Sequence, residues 1–413
     1  MKKKIILIVI IIVIAIILAR FFIFYDKYKM PKGAEITISN EDIDVYDETN
    51  LYDLIKSNNV EILSEDIPLD YMNIGEHIVT IEYKYKMKKY AYDIKYNVVD
   101  NVKPIFINVP STKTLYVNEG NEESLTKKVS YADNYDTKPD LKIEGNVNFN
   151  EIGTYKIKYI ITDQSGNKTT KDTVIQVKEK VKKEDSENKD DEEEEEDFIN
   201  IEEQIANYKT EDTMIGIDIS KWQGEVDFEK VKNSGVEFVI LRMGVMKNKD
   251  TPITIDNTFK NNYQKAKEVG LKVGIYVYSE SNTIQSAVEN AEFVIETLNG
   301  DKLDFPVCFD WECWANFNEL EINLYQLNEM YDAFSKRLKD AGYDTMLYAS
   351  ENYLNNTWLS LKDYTIWVAK YSTKTPSVND SDYILWQNSD KGRVDGINEP
   401  VDLDIYYKNK VNK

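Results

Sequence analysis

One apolar stretch of the chain reads Phe305-Pro-Val-Cys-Phe-Asp-Trp-Glu-Cys313, and its composition is typical of a buried β-strand. Successive side chains of a strand point to opposite faces, so Asp310 and Glu312 lie on one face together with Cys308. Burying carboxylates is costly unless neighbouring groups compensate for the lost water. A pair of acids in such a strand therefore indicates a functional site.

The positions of histidine and cysteine narrow the classes of catalysis that are open to the C-terminal region. The one histidine, His77, is far from this stretch, which argues against Ser-His-Asp, Cys-His and histidine-ligated zinc chemistry in the C-terminal region. An enzyme there would work with carboxylates, and we expect no metal and no cofactor. Cys308 and Cys313 are about 16 Å apart in an extended chain, too far for a disulfide unless the strand breaks between them, so we predict free thiols.

The size and charge of the chain set the broad class. A length of 413 residues predicts two to four domains. A net charge of −22 argues against nucleic acid as a partner.

The N-terminus carries a candidate membrane segment. Three lysines precede an apolar run from Ile5 to Ala19, which continues past Arg20 to Tyr25. A helix of this length is about 31 Å long and matches a hydrocarbon core of about 30 Å. We predict a signal anchor over residues 1–30. The alternative is a signal peptide cleaved after Ala19, where Ile17 suits a cleavage site poorly.

An internal repeat follows the anchor. Residues 75–83 align with residues 153–161, and both alternate apolar and polar positions as half-exposed strands do. His77 takes the place of Tyr155 and is interpreted as a structural residue. The pattern resembles bacterial immunoglobulin-like repeats. It predicts two all-β sandwiches, module 1 at residues 31–101 and module 2 at residues 102–178.

Residues 179–212 are strongly charged and include the run DDEEEEED at 190–197. Such a run cannot bury a core, and its charges repel one another. We predict a disordered acidic linker over 179–212.

The region from residue 213 to 413 alternates apolar strands with amphipathic helices, which predicts a closed barrel. The first four connections have room for a helix, the fifth is short, and the last two are too short for a crossover helix. The expected architecture is an irregular (β/α)5β3 barrel with hairpin-like returns near its close. The strand candidates are Ile215–Ser220, Phe238–Gly244, Lys272–Ser279, Phe305–Glu312, Thr345–Ser350, Thr365–Tyr371, Tyr383–Asn388 and Val401–Tyr407.

The ends of these strands predict a sugar site. Asp218 ends the first strand, Asp310 and Glu312 end the fourth, and Asp402 begins the last, which reaches the same rim if it runs antiparallel. Paired acids cleave glycosidic bonds, and aromatic rings stack on sugars. The alternative for any one aromatic is a place in the barrel core. Other strands end in Tyr276, Tyr278, Tyr348, Tyr371 and Gln387.

Seven motifs in this region occur in order and resemble glycoside hydrolase family 25, the lysozyme-type muramidases, over about residues 213–408. The resemblance implies a β/α-then-β barrel and hydrolysis of the β-1,4 bond from N-acetylmuramic acid to N-acetylglucosamine. The motifs are Gly216-Ile-Asp-Ile-Ser-Lys-Trp-Gln-Gly224, Phe238-Val-Ile-Leu-Arg-Met-Gly244, Gly274-Ile-Tyr-Val-Tyr278, Phe309-Asp-Trp-Glu312, Trp367-Val-Ala-Lys-Tyr371, Trp386-Gln387 and Val401-Asp-Leu-Asp404.

The resemblance also implies roles for residues. Glu312 resembles the general acid, Asp310 its partner, and Asp218 and Asp402 supporting acids. Inversion and retention by the sugar's own acetamido group both stay open. Asp404 departs from the family, because many members have Asn there. The predicted substrate-binding residues are Tyr276, Tyr278, Tyr348, Tyr371, Trp386, Gln387 and Arg242.

Together these features predict a single-pass, membrane-anchored peptidoglycan hydrolase whose C-terminal domains lie outside the cell at the wall. The two modules would form a stalk and the linker a spacer, and the partners would be glycan strands, the membrane and possible components of a wall-spanning machine. The alternative is a non-catalytic protein that binds cell-wall glycan or acts as a scaffold. The intact set of four acids argues against that alternative, since binding alone does not require costly acids held together.

Overall fold

The computed structural model describes residues 27–180, 198–246, 251–379 and 382–410. The chain divides into two compact units, Met1–Val102 and Lys103–Lys413. Within the described ranges, no helix has the length and apolar character needed to span a membrane. The apolar segment of the predicted anchor, residues 5–25, lies outside those ranges.

The first unit contains module 1. A long hairpin of β5 and β6 carries its core, and burial alternates along both strands. The ring of His77 stacks on Tyr96 with 5.2 Å between centroids, and its Nε2 donates to the carbonyl of Asn73. Both contacts suit the structural interpretation of His77. The strands are β1 Ile36–Ile38, β2 Ile43–Asp44, β3 Ile55–Asn58, β4 Glu61–Ile62, β5 Gly75–Tyr85 and β6 Lys88–Val99, with a 3₁₀ helix at Leu51–Leu54.

Module 2 opens the second unit. Its main sheet has the order β10-β11-β12-β8, and β7 pairs with β9 separately. Tyr159 is fully buried, and its hydroxyl donates to the carbonyl of Leu125 at 2.6 Å. The elements are β7 Ile105–Asn108, β8 Thr112–Tyr116, α1 Glu122–Thr126, β9 Ser130–Ala132, β10 Asp140–Glu144, β11 Gly153–Thr162 and β12 Lys168–Lys178.

The end of the predicted acidic linker is ordered instead. Strand β13 (Ile199–Asn200) and helix α2 (Ile201–Tyr208) pack on the barrel. The side chain of Ile201 is buried, and the buried amide of Gln204 donates to Asn388 at 2.7 Å. The linker prediction is therefore wrong for residues 199–208, because apolar contacts with distant strands outweigh the local charge. Residues 181–197 lie outside the described ranges.

A closed barrel of eight strands completes the unit. Neighbouring strands are parallel from β14 through β21, and β22 lies antiparallel between β21 and β14, which closes the sheet. The expected hairpin-like return between the sixth and seventh strands is wrong, since β20 and β21 are parallel. The strands are β14 Thr213–Ile219, β15 Phe238–Val245, β16 Thr254–Ile255, β17 Lys272–Ser279, β18 Val307–Trp311, β19 Thr345–Ser350, β20 Ile366–Ala369, β21 Tyr383–Arg393 and β22 Val401–Tyr407, with β16 paired to β15 outside the barrel.

The first five connections of the barrel each contain an α-helix. Helices α5 and α6 begin with capping boxes, in which Thr283 and Asn323 accept from the backbone three residues on. The helices are α3 Phe228–Asn233, α4 Phe259–Glu268, α5 Ile284–Leu298, α6 Leu324–Asp340 and α7 Glu351–Asn356, and 3₁₀ helices lie at Lys221–Gln223, Cys313–Glu319 and Lys408–Lys410.

The barrel has an inner and an outer apolar layer. Phe238 fills the interior beside Gly216, where an added Cβ would come within 2.4 Å of its ring. Cys308 belongs to this interior, and both cysteines are free thiols, as predicted. The outer layer packs the strands against the helices. The filled interior supports the rim above it.

Candidate active site

The strand ends bring four carboxylates to one cavity of about 260 Å³, which is lined by Asp218, Asp310, Glu312 and Asp402. Asp218 of β14 lies opposite Asp402 in the register of the closing strand. Because that strand runs antiparallel, its first residues share a rim with the ends of the other strands. The sequence predicted this convergence.

Asp218 is held by an amide. It is buried, and its Oδ2 accepts from Nε2 of Gln387 at 2.7 Å. The amide oxygen of Gln387 accepts from the hydroxyls of Tyr348 at 2.8 Å and Tyr371 at 3.1 Å. The two tyrosines therefore fix the orientation in which Gln387 presents its amide nitrogen to the carboxylate.

A fifth acid lies behind Asp218. Asp404 has no exposed surface, its Oδ1 accepts from the indole nitrogen of Trp367 at 2.9 Å, and its carboxyl lies close enough to Asp218 to raise the pKa of that acid. Burial, followed by the charge of Asp404, raises the pKa of Asp218 well above its usual range. Burial also raises the pKa of Asp404 well above its usual range. Two buried carboxyls this close cannot both ionise cheaply, so the pair favours holding a proton at neutral pH.

Asp310 and Glu312 differ in exposure. Asp310 is buried, and burial, followed by the charge of Glu312, raises its pKa well above its usual range. The side chain of Glu312 is exposed in the cavity, yet the loss of surrounding water raises the pKa of its carboxyl as well. The acid that a bound sugar can reach is thus one that keeps its proton to a higher pH than a free glutamic acid does.

Asp402 completes the ring of acids. Burial, with the charge of Asp218 next in importance, raises the pKa of Asp402 to about 9. Its side chain is half-buried. At neutral pH the cavity therefore holds protons as well as charges, because so many close carboxyls cannot all ionise cheaply.

Aromatic side chains form the walls and the mouth of the cavity. Trp367 is buried between Tyr276 and Tyr348, with edge-to-face contacts to both. Tyr371 is 54% exposed and Trp222 is 69% exposed. Two large exposed rings at the mouth of an acidic cavity offer flat apolar surfaces to a sugar ring. Tyr278 and Gln387 complete the predicted lining.

Two predicted substrate-binding residues differ from the rest. Trp386 lies in the outer layer, where it contacts Tyr208 and donates to the carbonyl of Lys370 at 2.9 Å. Side chains alternate along β21, so Trp386 faces away from the cavity that Gln387 faces, and the structure does not place it in the site. Arg242 does line the cavity, and its Nε donates to the buried Asp256 at 2.9 Å.

The sequence reasoning missed several lining residues. Trp222 and Gln223 belong to the first quoted motif and line the cavity, but they were not among the predicted site residues. Gln223 closes a capping box with Ser220, which also lines the cavity. Asp256, the partner of Arg242, had no signal, because it follows the short external strand β16 and belongs to none of the motifs.

Comparison with known proteins agrees with this geometry. Residues 217–397 match the family model for glycosyl hydrolases family 25, and residues 107–177 match that for the Ig-like domain of bacterial surface proteins. The autolytic lysozyme of Clostridium acetobutylicum is 35% identical over 194 residues, which are 47% of this chain and 56% of that protein. The uncharacterized protein YegX of Escherichia coli K12 is 28% identical over 197 residues, 47% of this chain and 70% of that protein.

One solved structure, the spore cortex lytic enzyme SleM of Clostridium perfringens, overlays with a TM-score of 0.42 and 22% identity, over 48% of this chain and 69% of that one. An overlay with so low a TM-score supports no conclusion about the function of this chain. The chain spans just over half the length of the clostridial lysozyme. The two family matches and the four acids in one cavity lead to one conclusion: the chain carries a bacterial surface Ig-like domain at residues 107–177 and a glycosyl hydrolase family 25 domain at residues 217–397.

Proposed function

We propose that the barrel hydrolyses peptidoglycan at the β-1,4 bond between N-acetylmuramic acid and N-acetylglucosamine. The observation that carries this proposal is the convergence of four carboxylates from three strands on one cavity with exposed aromatic rings at its mouth. The name of the clostridial lysozyme supports the same class of reaction.

Glu312 is the proton donor in this proposal. It is the exposed member of the adjacent pair, and the loss of water around it raises its pKa, so it holds a proton for the bridging oxygen. The bond from the anomeric carbon to that oxygen breaks, and the proton of Glu312 passes to the departing oxygen, which leaves as a hydroxyl. The anomeric carbon takes up the oxygen of a water molecule, either directly or after capture by the sugar's own acetamido oxygen. Asp310 is buried beside Glu312, and two carboxyls this close titrate as a pair. The negative charge left on the pair when the proton departs can stabilise the positive charge that develops on the sugar.

The remaining acids are held in place before substrate binds. Asp218 is fixed by Gln387, and Asp402 faces it from the closing strand, so the polar groups of the cavity are oriented before substrate arrives. Trp222 and Tyr371 supply stacking surfaces at the mouth. A sugar bound there would place its glycosidic oxygen near Glu312.

The test uses the full chain, purified in detergent, and peptidoglycan sacculi. Glu312→Gln keeps the shape of the side chain but has no proton to donate, and Glu203→Gln on the exposed face of α2 is the matched control. Mass spectrometry of the released fragments should show new reducing-end muramic acid with the wild type and the control, and a loss of about 10²- to 10⁴-fold with Glu312→Gln. Glycan binding without new ends from any variant would identify a non-catalytic wall-binding protein instead.

We also propose that the chain is anchored in the cell membrane, with its modules and barrel outside at the wall. Support comes from the apolar run Ile5 to Tyr25, which matches a bilayer in length, and from the position of peptidoglycan outside the membrane. Cell fractionation tests this part separately. The full chain should sediment with membranes and resist high salt, whereas a chain lacking residues 1–30 should not. Equal solubility of both chains would contradict anchoring.

A further inference from the structure

Module 2 contacts the barrel at the segment that follows Glu312. Strands β7 and β9 pack against the 3₁₀ helix Cys313–Glu319. Glu312 is the N-cap of that helix and comes directly after strand β18. The module therefore touches the piece of chain that leads away from the proposed proton donor.

The apolar part of this contact is continuous with the barrel core. Ala132, in β9, is only 2% exposed and belongs to the same apolar cluster as Trp314 and Phe317 of the 3₁₀ helix. Ile105 and Ile107, in β7, also pack against this cluster. A module that served only as a stalk would have no reason to bury apolar side chains in the core of the hydrolase.

The polar part of the contact completes the start of helix α6. The carbonyl of Asp133 accepts from the backbone nitrogen of Leu324 at 2.8 Å, and the carbonyl of Tyr135 accepts from Nδ2 of Asn323. The first backbone donors of a helix have no partner within the helix. Here one of them is satisfied by the backbone of module 2.

Glu312 thus stands between two supports. On one side is β18, whose Trp311 is buried and donates its indole nitrogen to the carbonyl of Ser281 at 2.8 Å. On the other side is the 3₁₀ helix, which leads to the start of α6 and is covered by module 2. A proton donor must be held closely in place, because small displacements of catalytic groups cost much of their rate.

We propose that module 2 is a working part of the hydrolase, whose docked edge positions Glu312 through the 3₁₀ helix Cys313–Glu319. The docked edge consists of β7, β9 and residues 133–135. The proposal rests on the function proposed above for the barrel. The residues of the docked edge are positioning residues, since none of them lines the cavity.

Two substitutions disturb the contact without touching the cavity. Asn323→Asp keeps the helix cap, because an Asp oxygen accepts from the backbone of Gln326 as well as the Asn oxygen does, but it loses the amide donor to Tyr135. Ala132→Lys puts a charge into the apolar contact. Asn150→Asp is the control, with the same charge change at an exposed site of module 2 that has no contact with the barrel among its described partners.

The measurements are hydrogen exchange and steady-state kinetics on the full chain. Loss of one hydrogen bond is expected to speed exchange in the peptide spanning residues 313–326, and to lower kcat on peptidoglycan, by about tenfold each in Asn323→Asp. KM should change by less than about twofold, because the cavity itself is untouched. Ala132→Lys should have a larger effect in the same direction, and Asn150→Asp should behave as the wild type.

Three other outcomes would overturn the proposal. Unchanged exchange in both interface variants would mean that the module is not docked in solution. Faster exchange with unchanged kcat would mean that docking does not position Glu312. A rise in KM alone would assign the edge to substrate binding. If the wild type itself releases no glycan ends, the proposed function fails, and the exchange data still report separately whether the module is docked.

Discussion

Asp404 gives the site a buried acid pair, where the structure pairs it with Asp218 and with the indole of Trp367. An asparagine at this position would accept from Trp367 with its oxygen and donate to Asp218 with its nitrogen. It would satisfy the same partners without any proton to share. Asp404→Asn is therefore a nearly isosteric test of what the extra acid costs.

We predict that Asp404→Asn raises the melting temperature at pH 8 and leaves it nearly unchanged at pH 3.5. Burial raises the pKa of Asp404 in the folded chain, so its contribution to stability is fully present below the unfolded pKa of about 3.9 and is lost as the pH rises through the folded value. Calorimetry at both pH values checks this. An equal shift of melting temperature at both pH values would show that the carboxyl does not titrate with unfolding.

Trp222 can be removed without disturbing the core. Because its side chain is 69% exposed, we predict that Trp222→Ala leaves the melting temperature unchanged and raises KM for peptidoglycan about tenfold through lost stacking. Trp222→Tyr, which keeps a ring, should recover most of the affinity. A fall in kcat with constant KM in Trp222→Ala would place the residue in the chemical step instead.

Some site residues were predictable because one rule governs them. Alternation along a strand put Asp310 and Glu312 on one face, and the structure brings both to the cavity. The same rule, applied to the pair Trp386 and Gln387, allows only one of them to face the site, and the motif alone gave no reason to choose. The contact from Asp404 to Asp218 joins strands from opposite ends of the domain, so local sequence does not contain it.

At the scale of elements, Gly216 leaves the space beside strand β14 that the ring of Phe238 occupies. An alanine at Gly216 would place its Cβ within 2.4 Å of the ring of Phe238. We predict that Gly216→Ala destabilises the chain by about 1–3 kcal/mol, as overpacked cores do. Adding Phe238→Leu should restore part of that loss, because the smaller side chain leaves room for the methyl group.

Chemical denaturation of the single and double variants measures this coupling. Additive effects of the two substitutions would contradict the packing argument, since side chains in contact should not act independently. Phe238→Leu alone serves as the reference for the cavity that it creates.

Elements with strong periodicity were predicted well, and those that depend on distant partners were not. The barrel strands are recognisable in the sequence as apolar runs, and the spacing between these runs indicates where helices fit. Strand β13 and helix α2 were assigned to the linker, because their isoleucines stand among acids and find their partners in the barrel, which is distant in sequence. The parallel pairing of β20 with β21 also depends on the closed sheet rather than on the length of the connection.

At the scale of the whole molecule, charge should govern access to the wall. With a net charge of −22, the chain is repelled by anionic wall polymers. We predict that activity on polymer-bearing walls rises as salt increases from about 10 to 150 mM, where the screening length falls from about 30 to 8 Å. Walls stripped of those polymers are the control and should show a much weaker rise. A fall in activity on both substrates would indicate that attraction, not repulsion, governs the encounter.

The antiparallel closing strand also sets when the cavity is completed during synthesis of the chain. Strand β22 pairs with β14 and β21, and it delivers Asp402 to the rim. A nascent chain that has reached residue 400 already contains Asp218, Asp310 and Glu312, but its barrel has an open seam and its cavity lacks a wall. Closure pairs the first and last strands of the barrel, and contacts between residues so far apart in sequence form slowly. The complete cavity therefore forms late, after translation has passed strand β22.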